Sequence, residues 1–292
     1  MKVSLVTASF NAAATIDETI RSVLDQEGVD LEYIVCDGGS SDGTADIIRR
    51  HESRLAWWVS ERDRGQVDAI NKGFAHATGD VLGFLNADDV LAPGALKTVC
   101  ATFAAEPDVD LVQGGVEWID FEGRPLGTHL GDMTSLEDAL DIFKVWWGNR
   151  QWVQPEVFYR RALKDRVGAF DERYHLAFDY DFWVRCFRAG ARVQRIREML
   201  VRFRRHAAQK SVDADRANAE IRAILAENLA DRPQIGAWTR ARLRAELSYD
   251  IYQSGKSPRP SFASALLRHP AWLLCAPVRR RLGEFVVRKS SA

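Results

Sequence analysis

Residues 81–89 have the sequence Val-Leu-Gly-Phe-Leu-Asn-Ala-Asp-Asp, a short apolar run that ends in polar side chains. A run of this length and composition is typical of a buried β-strand. The adjacent carboxylates of Asp88 and Asp89 repel each other at the end of such a strand unless a cation or hydrogen-bond donors compensate. A bound metal ion is the simplest explanation, so the stretch predicts a strand with a cation site at its carboxyl end.

The sequence before this stretch alternates between strand-like and helix-like segments. Strands are predicted near residues 2–8, 31–37, 56–60 and 80–85, and helices near residues 14–26, 43–51 and 66–76. This order predicts an α/β fold with an open, mostly parallel central sheet flanked by helices. Ligands bind at the carboxyl ends of the strands in such a sheet, and the loops there carry most of the polar side chains.

The rest of the chain continues this domain and then changes character. Helices are predicted near residues 94–105, 135–143, 160–165 and 179–189, and strands near residues 109–122 and 152–158. Long runs rich in Ala, Leu, Arg and Glu follow at residues 212–230 and 235–253, and they predict helices. We therefore expect an α/β domain over residues 1–210 and an appended helical region over residues 211–292.

Charge and cysteine content limit the possible partners and compartment. The formal net charge of the 292-residue chain is −1, so the molecule as a whole has no field that would attract nucleic acid. Its four cysteines are far apart in the sequence and form no zinc-like spacing or disulfide framework. We expect a cytoplasmic protein with no nucleic-acid partner.

The last part of the chain is strongly basic. Residues 253–292 hold eight lysines and arginines against one acidic residue, Glu284, and they also contain apolar side chains such as Leu267, Trp272 and Leu273. A basic amphipathic segment can lie on an anionic membrane surface, at the inner face of a membrane for a cytoplasmic protein. The same pattern is also typical of a helix that packs on the first domain and ends in a solvated basic tail. The sequence favours neither interpretation.

Two more acidic clusters follow predicted strands. Residues 37–44 have the sequence Asp-Gly-Gly-Ser-Ser-Asp-Gly-Thr, in which glycines let the backbone approach a ligand and Asp37 can accept hydrogen bonds from a base or a ribose. The alternative is a tight turn in which Asp42 caps a helix. Residues 61–66, Glu-Arg-Asp-Arg-Gly-Gln, form the other of these two clusters. Its composition is also typical of a solvated surface loop.

The fourth cluster begins a predicted helix. Residues 178–183 have the sequence Phe-Asp-Tyr-Asp-Phe-Trp. Two acids in a first helical turn can simply complement the helix dipole. Their aromatic neighbours would also desolvate Asp179 or Asp181 and raise a carboxyl pKa, which suits proton abstraction.

In order and spacing, these segments resemble family 2 glycosyltransferases of the GT-A fold. The resemblance extends from residue 3 to residue 206, and the joint pattern is more specific than any one piece. The matching segments are residues 3–11, 22–26, 37–44, 63–65, 71–73, 86–89, 154–158, 168–172, 179–185 and 205–206.

The resemblance implies an inverting transfer of a sugar from a nucleoside diphosphate donor, with UDP as the expected nucleotide and Mn²⁺ or Mg²⁺ as the cofactor. It places Asp37 at the nucleotide base, Asp63 in support of the nucleotide, and Asp88 at the family's DxD-type metal motif. Asn86 replaces the first acid of that motif, and whether Asp88 or Asp89 meets the ion stays open. The remaining residues expected at the donor are Thr7, Ser9, Asn11, Arg64, Gly65, Asn71, Lys72 and Ala87.

The resemblance also assigns the chemistry. Asp179 matches the family's catalytic base, and because Phe178 replaces the usual Glu before it, Asp181 is a second candidate. His206 resembles a family histidine that approaches the metal or diphosphate, although a lone histidine is more often structural. Stacking on an acceptor sugar is a further prediction, although aromatic residues are more often core. The residues predicted for the acceptor are Trp146, Trp147, Trp152 and Gln154.

A glycan or a lipid-linked saccharide is the expected acceptor, as in polysaccharide assembly. Two other functions stay open at this stage. A nucleotidyltransferase would also use metal-binding carboxylates, but the first strand is not followed by a glycine-rich and basic phosphate loop. A nucleotide-sugar or glycan-binding protein with a degenerate site would bind a donor without transferring its sugar.

Overall fold

The structure is a computed structural model that describes residues 1–206, 209, 213–230, 234–255 and 261–290, with the side chains of residues 285–290 outside the description. It contains two compact units. The first comprises residues 1–132 and 152–214, and the second comprises residues 133–151 and 215–292. The boundary predicted at residue 210 lies outside the described residues, and residues 133–151 group with the C-terminal helices.

The first half of the central sheet in the first unit is parallel. Strand β1 pairs with β2 on one side and with β4 on the other, and β3 pairs with β2. Strands β1, β2 and β4 are apolar and mostly buried, as expected when helices cover both faces of a parallel sheet, whereas the edge strand β3 is partly exposed. Their bounds are β1 Lys2–Ser9, β2 Asp30–Asp37, β3 Trp57–Ser60 and β4 Val81–Asn86.

The second half of the sheet mixes strand directions. The strand order is β3-β2-β1-β4-β8-β6-β9-β5, and β7 pairs with β6 outside this path. Strand β8 is antiparallel to both β4 and β6, whereas β9 is parallel to β6. The additional strands are β5 Val90–Leu91, β6 Leu111–Ile119, β7 Pro125–His129, β8 Val157–Arg160 and β9 Val193–Arg204.

The helices of the first unit cover the sheet. Alternation of strands and helices therefore confirms the predicted α/β class and the GT-A-like architecture. Helix α1 illustrates the cause, because its buried residues Ile16, Ile20 and Val23 recur at helical spacing and join the core of the sheet. The helices are α1 Ile16–Leu24, α2 Thr44–Arg50, α3 Gln66–His76, α4 Ala95–Ala105, α6 Arg161–Val167 and α7 Phe178–Arg188.

The second unit is helical, as predicted for the C-terminal region. Its own core contains Tyr249, Trp272, Cys275 and Val278, all of them buried. The helices are α5 Leu136–Leu140, α8 Ala214–Leu229, α9 Ala237–Ser254, α10 Phe262–Arg268 and α11 Ala276–Ser290, with a π-helical turn at Ile142–Trp146 and a 3-10 turn at Pro270–Leu274. Among the described residues, no helix has the length and apolar character needed to cross a membrane.

Strand β9 was not predicted from the sequence. It carries four arginines at residues 195, 197, 202 and 204, so its pattern lacks the apolar run that marks a buried strand. The strand forms because it extends the sheet next to β6 along most of its length. Pairing with the rest of the sheet thus outweighs local composition.

Candidate active site at the carboxyl ends of the strands

The acidic cluster at residues 37–44 begins where three parallel strands end side by side. The register places Ser9 of β1 opposite Asp37 of β2, and Asp37 opposite Ser60 of β3. On the other side of β1, Ala8 lies opposite Asn86 of β4. The sheet therefore brings the predicted base-binding carboxylate and the start of the Asn86–Asp89 segment to one edge, as the sequence predicted.

Asp37 is 2% exposed and accepts four hydrogen bonds from neutral groups. Its Oδ1 accepts from the hydroxyls of Ser40 (2.5 Å) and Ser9 (3.3 Å). Its Oδ2 accepts from the Ser60 hydroxyl (2.6 Å) and from the Ser40 backbone N–H (2.9 Å). Hydroxyls and amides orient the carboxylate without neutralising its charge, so the group stays suited to a ligand that donates hydrogen bonds.

The loop after β2 is fixed from two sides. Asn11, in the left-handed region with φ 48°, donates its backbone N–H to the Ser40 hydroxyl (2.8 Å) and accepts from the Ser41 N–H through its side chain (3.0 Å). Asp42 accepts from the Thr44 N–H (3.0 Å) and from the Ala13 N–H (3.0 Å). Asp42 thus closes a turn just before α2, where Gly43 is the N-cap residue, and a contact of Asn11 with a donor stays a prediction.

Asp63 lies against this loop. A side chain at Gly38 would place its Cβ 2.7 Å from Asp63 Oδ2, so only glycine allows the two segments to approach this closely. The other carboxylate oxygen of Asp63 accepts from the Gly65 N–H at 2.8 Å, just before α3 begins. The acidic clusters at residues 37–44 and 61–66 are therefore parts of one site.

Other residues predicted at the donor, in the cluster at residues 61–66 and on α3, are held by protein partners. Arg64 binds Asp68 (2.8 Å) and Glu172 (3.0 Å). Lys72 binds Glu61 at 2.5 Å. The Asn71 amide accepts from the Phe170 N–H (3.0 Å) and donates to the Phe170 carbonyl (2.9 Å), so it fixes the segment before α7. Contacts of Arg64, Asn71 and Lys72 with a donor remain predictions.

Asp88 and His206 form a pair after the end of β4. The His206 Nε2 lies 2.9 Å from Asp88 Oδ2, and both side chains are partly exposed, at 21% and 28%. The Phe121 ring packs edge-on against the imidazole, with 6.0 Å between ring centroids. Residues 118 positions apart in the sequence thus meet at the predicted metal position, and their oxygen and nitrogen atoms are suited to a divalent cation.

Asp89 has a different environment from its neighbour. It is fully buried, and its two oxygens accept from the Arg204 N–H (3.0 Å) and from the Asn86 amide (2.8 Å). Burial, together with repulsion from Asp88, raises the pKa of Asp89 well above its ordinary value. Hydrogen-bond donors therefore compensate the second carboxyl of this turn, and Asp88 is the acid that faces the accessible side of the site.

Arg204 at the end of β9 organises this turn, although its side chain is only 2% exposed. Its Nε donates to the Asp88 carbonyl (2.9 Å), and a terminal nitrogen donates to the Phe121 carbonyl (2.5 Å). The remaining terminal nitrogen forms an ion pair with Glu18 at 2.6 Å. A buried arginine is uncommon, and this one ties α1, the Asp88–Asp89 turn and the loop after β6 together.

The two candidate bases in α7 differ in the same way. Asp179 is half-buried, and its Oδ1 accepts the Tyr180 N–H at 2.8 Å. Asp181 is buried and binds Arg185 at 2.8 Å, while Arg185 also donates to the carbonyls of Val167 and Ala169. Burial raises the pKa of Asp181, and the Arg185 charge partly offsets that rise. Asp181 is therefore engaged in holding the preceding loop.

Aromatic packing positions the start of α7. The Phe178 ring, next to Asp179, lies 5.9 Å from the Phe84 ring of β4 and 5.6 Å from the Phe170 ring. Phe170 is in turn 4.5 Å from Phe182. The base candidate thus sits on a helix that is anchored to the strand leading into Asn86 and Asp88.

The other predicted site residues have varied locations. Thr7 is fully buried, and its hydroxyl lies 2.9 Å from the Tyr33 hydroxyl. The Ala87 carbonyl accepts from the hydroxyls of Thr15 (2.9 Å) and Thr19 (3.0 Å). Neither side chain is accessible, so any donor contact at these two positions would come from the backbone.

The predicted acceptor residues do not share one environment. Trp152 is 4% exposed and packs against Trp183 and Phe187, which favours the core interpretation. Gln154 is 9% exposed and donates to the Phe84 carbonyl at 2.7 Å. Trp146 and Trp147 belong to the second unit, where the 44% exposed Trp147 donates its ring N–H to Asp250 at 2.9 Å.

Comparison with known proteins agrees with this geometry. The model of the family described as glycosyl transferase family 2 matches residues 4–168, more than half of the chain. The chain belongs to glycosyltransferase family 2.

Curated relatives of this glycosyltransferase have similar lengths of match. A PGL/p-HBAD biosynthesis glycosyltransferase of Mycobacterium bovis is 33% identical over 202 residues, which cover 68% of this chain and 74% of the relative. An uncharacterized glycosyltransferase of Nostoc sp. is 28% identical over 225 residues, covering 75% of this chain and 70% of the relative.

Solved structures share the fold of the glycosyltransferase. Residues 1–349 of Staphylococcus aureus TarS in complex with UDP-GlcNAc superpose with a TM-score of 0.65 at 18% identity, covering 87% of this chain and 74% of that one. In a longer TarS structure the covered share falls to 44%. The mannosyltransferase PcManGT of Pyrobaculum calidifontis with GDP-Man and Mn²⁺ gives 0.61 at 19% identity, covering 95% and 82%. At these identities the likeness concerns the fold.

Several residues of the glycosyltransferase site were not predicted from the sequence. Ser60 binds the carboxylate of Asp37, and Gln66 binds the amide of Asn86. Arg204 binds the Asp88–Asp89 turn. Ser60 and Gln66 are common polar residues with no distinctive spacing. Arg204 is adjacent to the quoted Arg205-His206 pair, but without β9 there was no reason to place its charge in the interior.

Proposed function

We propose that this family 2 glycosyltransferase transfers a sugar from a UDP-sugar to a hydroxyl of a glycan or lipid-linked saccharide, with inversion at the anomeric carbon. The main support is the pairing of Asp88 with His206 at 2.9 Å, on the same strand-end edge as the hydroxyl-held Asp37. The Asp88–His206 pair is suited to a diphosphate with its cation, and Asp37 is suited to a nucleotide base.

Asp37 is the proposed contact for the base. A carboxylate has about four acceptor positions, and four donors already surround Asp37. The Ser9 contact is the longest of them at 3.3 Å, so we propose that a ring N–H of the base replaces it. Uracil offers one such N–H next to two carbonyls, and the Ser9 hydroxyl, once released from Asp37, can donate to one of those carbonyls.

Asp88 and His206 are the proposed protein ligands of Mn²⁺ or Mg²⁺. Within the described residues, no group of three or more His, Cys, Asp or Glu side chains could hold a metal ion by itself. Two protein donors fit an ion that takes its remaining ligands from diphosphate oxygens and water, which is common for Mg²⁺ in phosphate sites. When bound there, the cation would offset the charge that develops on the departing nucleoside diphosphate.

Asp179 is the proposed catalytic base. The acceptor oxygen attacks the anomeric carbon, the bond from that carbon to the diphosphate oxygen breaks, and the acceptor proton passes to the Asp179 carboxylate. Attack from the face opposite the leaving group inverts the configuration. Asp179 suits this role better than Asp181, because Asp181 is buried and paired with Arg185.

For the acceptor, Trp147 and Trp146 are the proposed stacking residues. The Trp147 ring is 44% exposed, and its hydrogen bond to Asp250 holds one edge in place. A fixed and exposed indole provides a flat apolar face of the kind that stacks on a sugar ring. Trp152 packs against Trp183 and Phe187, and Gln154 donates to the Phe84 carbonyl, so we assign neither of them to the acceptor.

The proposal is tested by calorimetric titration of UDP, dTDP and GDP into the purified protein, first with Mn²⁺ and then with a chelator. We expect UDP to bind with the greatest affinity and the chelator to weaken its binding. Absence of binding by all three nucleotides, in protein that is folded by circular dichroism, would contradict the proposed donor. Binding of a sugar nucleotide that is neither hydrolysed nor transferred would favour the degenerate binding protein.

Asp88→Ala provides the matching variant. We expect it to weaken the Mn²⁺-dependent binding of UDP by about 100-fold, because a charge-assisted metal contact is lost. Asp46→Ala is the control, since Asp46 is an exposed partner of Arg49 on α2. Equal nucleotide binding by the Asp88 and Asp46 variants would remove Asp88 from the metal site.

A further inference from the structure

The C-terminal unit leaves two leucines in solvent. Leu267 at the end of α10 is 85% exposed, and Leu273 in the following 3-10 turn is 48% exposed. Other apolar residues of the same segment are used for packing, since Trp272 and Val278 are buried in the core of this unit. The fold therefore explains most of the apolar character of this segment but not these two side chains.

Exposed cations lie close to the two leucines in the sequence. Among the described side chains of residues 261–284, Arg268, Arg279, Arg280 and Arg281 are exposed, and Glu284 is the single acid. Leu267 and Arg268 are consecutive at the end of α10. This composition combines apolar side chains with a local positive charge in a protein whose net charge is −1.

Direct contacts hold two of the arginines against this segment. Arg279 of α11 donates to the carbonyls of Leu273 (3.0 Å) and Leu274 (2.5 Å), so its charge lies next to the exposed Leu273. Arg281 lies over the Phe262 ring at the start of α10, with 4.3 Å between its guanidinium carbon and the ring centroid. We call this set of residues the basic leucine surface: Leu267, Arg268, Leu273, Arg279, Arg280 and Arg281.

We propose that the basic leucine surface docks on an anionic lipid bilayer. Leu267 and Leu273 would enter the boundary between headgroups and acyl chains, while the arginines contact lipid phosphates. Each arginine near an anionic membrane contributes about a fivefold gain in partitioning, and the effect decreases with salt. This inference goes beyond the proposed sugar transfer and does not depend on it.

A second copy of the chain is a poorer occupant. Two basic leucine surfaces facing each other would oppose arginines with arginines, and like charges at close range are unfavourable. An anionic bilayer supplies the opposite charge and an apolar layer at once, which matches both parts of the surface.

The test is co-sedimentation of the full chain with vesicles of equal parts phosphatidylglycerol and phosphatidylethanolamine, and with vesicles of phosphatidylcholine. We expect binding to the anionic vesicles and loss of that binding in about 1 M salt, where the Debye length is about 3 Å. Leu267→Ser with Leu273→Ser should reduce the binding about tenfold or more. Arg280→Glu with Arg281→Glu should reduce it by a similar factor.

Two control variants carry comparable changes elsewhere. Leu126→Ser alters a leucine of β7 that is 58% exposed, and Lys97→Glu reverses an exposed charge on α4. Both should bind vesicles like the unaltered chain. Thermal unfolding and circular dichroism, measured on every variant, identify those that fail to fold.

Three results would overturn the proposal. The first is the absence of binding to anionic vesicles. The second is binding that folded variants of the basic leucine surface leave unchanged. The third is a change in the oligomeric state of the leucine variant, measured by size-exclusion chromatography with light scattering, when no vesicle binding is seen. That result would assign the surface to a second copy of the chain.

Discussion

Carboxylates at the strand-end edge and carboxylates in the C-terminal unit are held in opposite ways. At the edge, Asp37 accepts only from hydroxyls and backbone amides, and Asp88 faces His206. In the C-terminal unit, Arg242 binds Asp141 (2.8 Å), Glu246 (3.0 Å) and Glu137 (3.1 Å), and Arg222 binds Asp250 (2.7 Å). Of these two groups of acids, only the second is neutralised by arginine.

This difference separates acids that serve a ligand from acids that serve the fold. An arginine neutralises a carboxylate permanently, so such a pair has little electrostatic interaction left for a cation or a sugar nucleotide. Hydroxyl and amide donors orient a carboxylate and leave its charge in place. By this criterion Asp37 and Asp88 are the proposed site residues of the first unit, and Asp181 with its Arg185 partner is proposed to be structural.

The largest expected effect is on transfer in Asp179→Asn. An amide cannot accept the acceptor proton, so the rate of nucleoside diphosphate release with acceptor should fall by about 1000-fold. UDP binding measured by calorimetry should stay within about twofold, because the variant keeps the shape of the side chain.

Asp181→Asn is the matched control for this prediction. It removes the charge that holds Arg185, so the variant should be less stable to denaturant but should retain transfer. Loss of transfer in the Asp181 variant together with full transfer in the Asp179 variant would exchange the two roles and break the comparison.

A smaller effect is expected from removing the partly buried Arg242 or the buried Arg204. Arg242→Met leaves Asp141 and Glu246 buried without their cation, which should lower the free energy of unfolding by about 3–5 kcal/mol. Arg204→Met should cost a similar amount, and it should also weaken Mn²⁺-dependent UDP binding, because Arg204 holds the Asp88 backbone.

Urea unfolding and calorimetry on both arginine variants provide the measurement. Unchanged UDP affinity is expected for folded Arg242→Met protein and reduced affinity for folded Arg204→Met protein. If both variants bind UDP normally, the buried arginine of the first unit is purely structural as well.

The smallest effect concerns the pH dependence of stability. Burial and the neighbouring Asp141 raise the pKa of Glu246 to about 7, despite the contact with Arg242. A carboxyl whose pKa is raised by folding stabilises the folded state below its unfolded pKa of about 4.3, and this contribution is lost as the pH rises toward 7. Glu246→Gln should therefore flatten this decline between about pH 4.5 and 7.

Thermal unfolding at several pH values checks this prediction, with Glu137→Gln as the control because Glu137 is the more exposed partner of Arg242. If the Glu246 variant declines with pH as steeply as the unaltered chain, another group is responsible for the dependence.

The sequence was sufficient for the parts of the site that depend on local order. Four parallel strands, their polar carboxyl ends and the positions of Asp37, Asp63 and Asp88 follow from apolar runs that end in acidic loops. The GT-A-like fold and the family were confirmed by the sheet and by the family match.

Other features depend on partners that are distant in sequence. The difference between Asp88 and Asp89 is set by Arg204, which is 115 residues beyond Asp89 on a strand that the sequence pattern does not reveal. The pairing of Asp181 with Arg185 has helical spacing, but its consequence depends on the carbonyls of Val167 and Ala169. Grouping of residues 133–151 with the C-terminal helices likewise has no local signal.

The hydroxyls around Asp37 have a further consequence for the cost of binding. Ser9, Ser40 and Ser60 take the positions that water would hold around a free carboxylate. Because folding has already fixed this substitute hydration shell, a nucleotide that binds as proposed would displace the long Ser9 contact rather than bulk water. Most of the ordering around Asp37 is thus complete before a ligand binds. The free energy of ordering these hydroxyls is part of the free energy of folding the sheet.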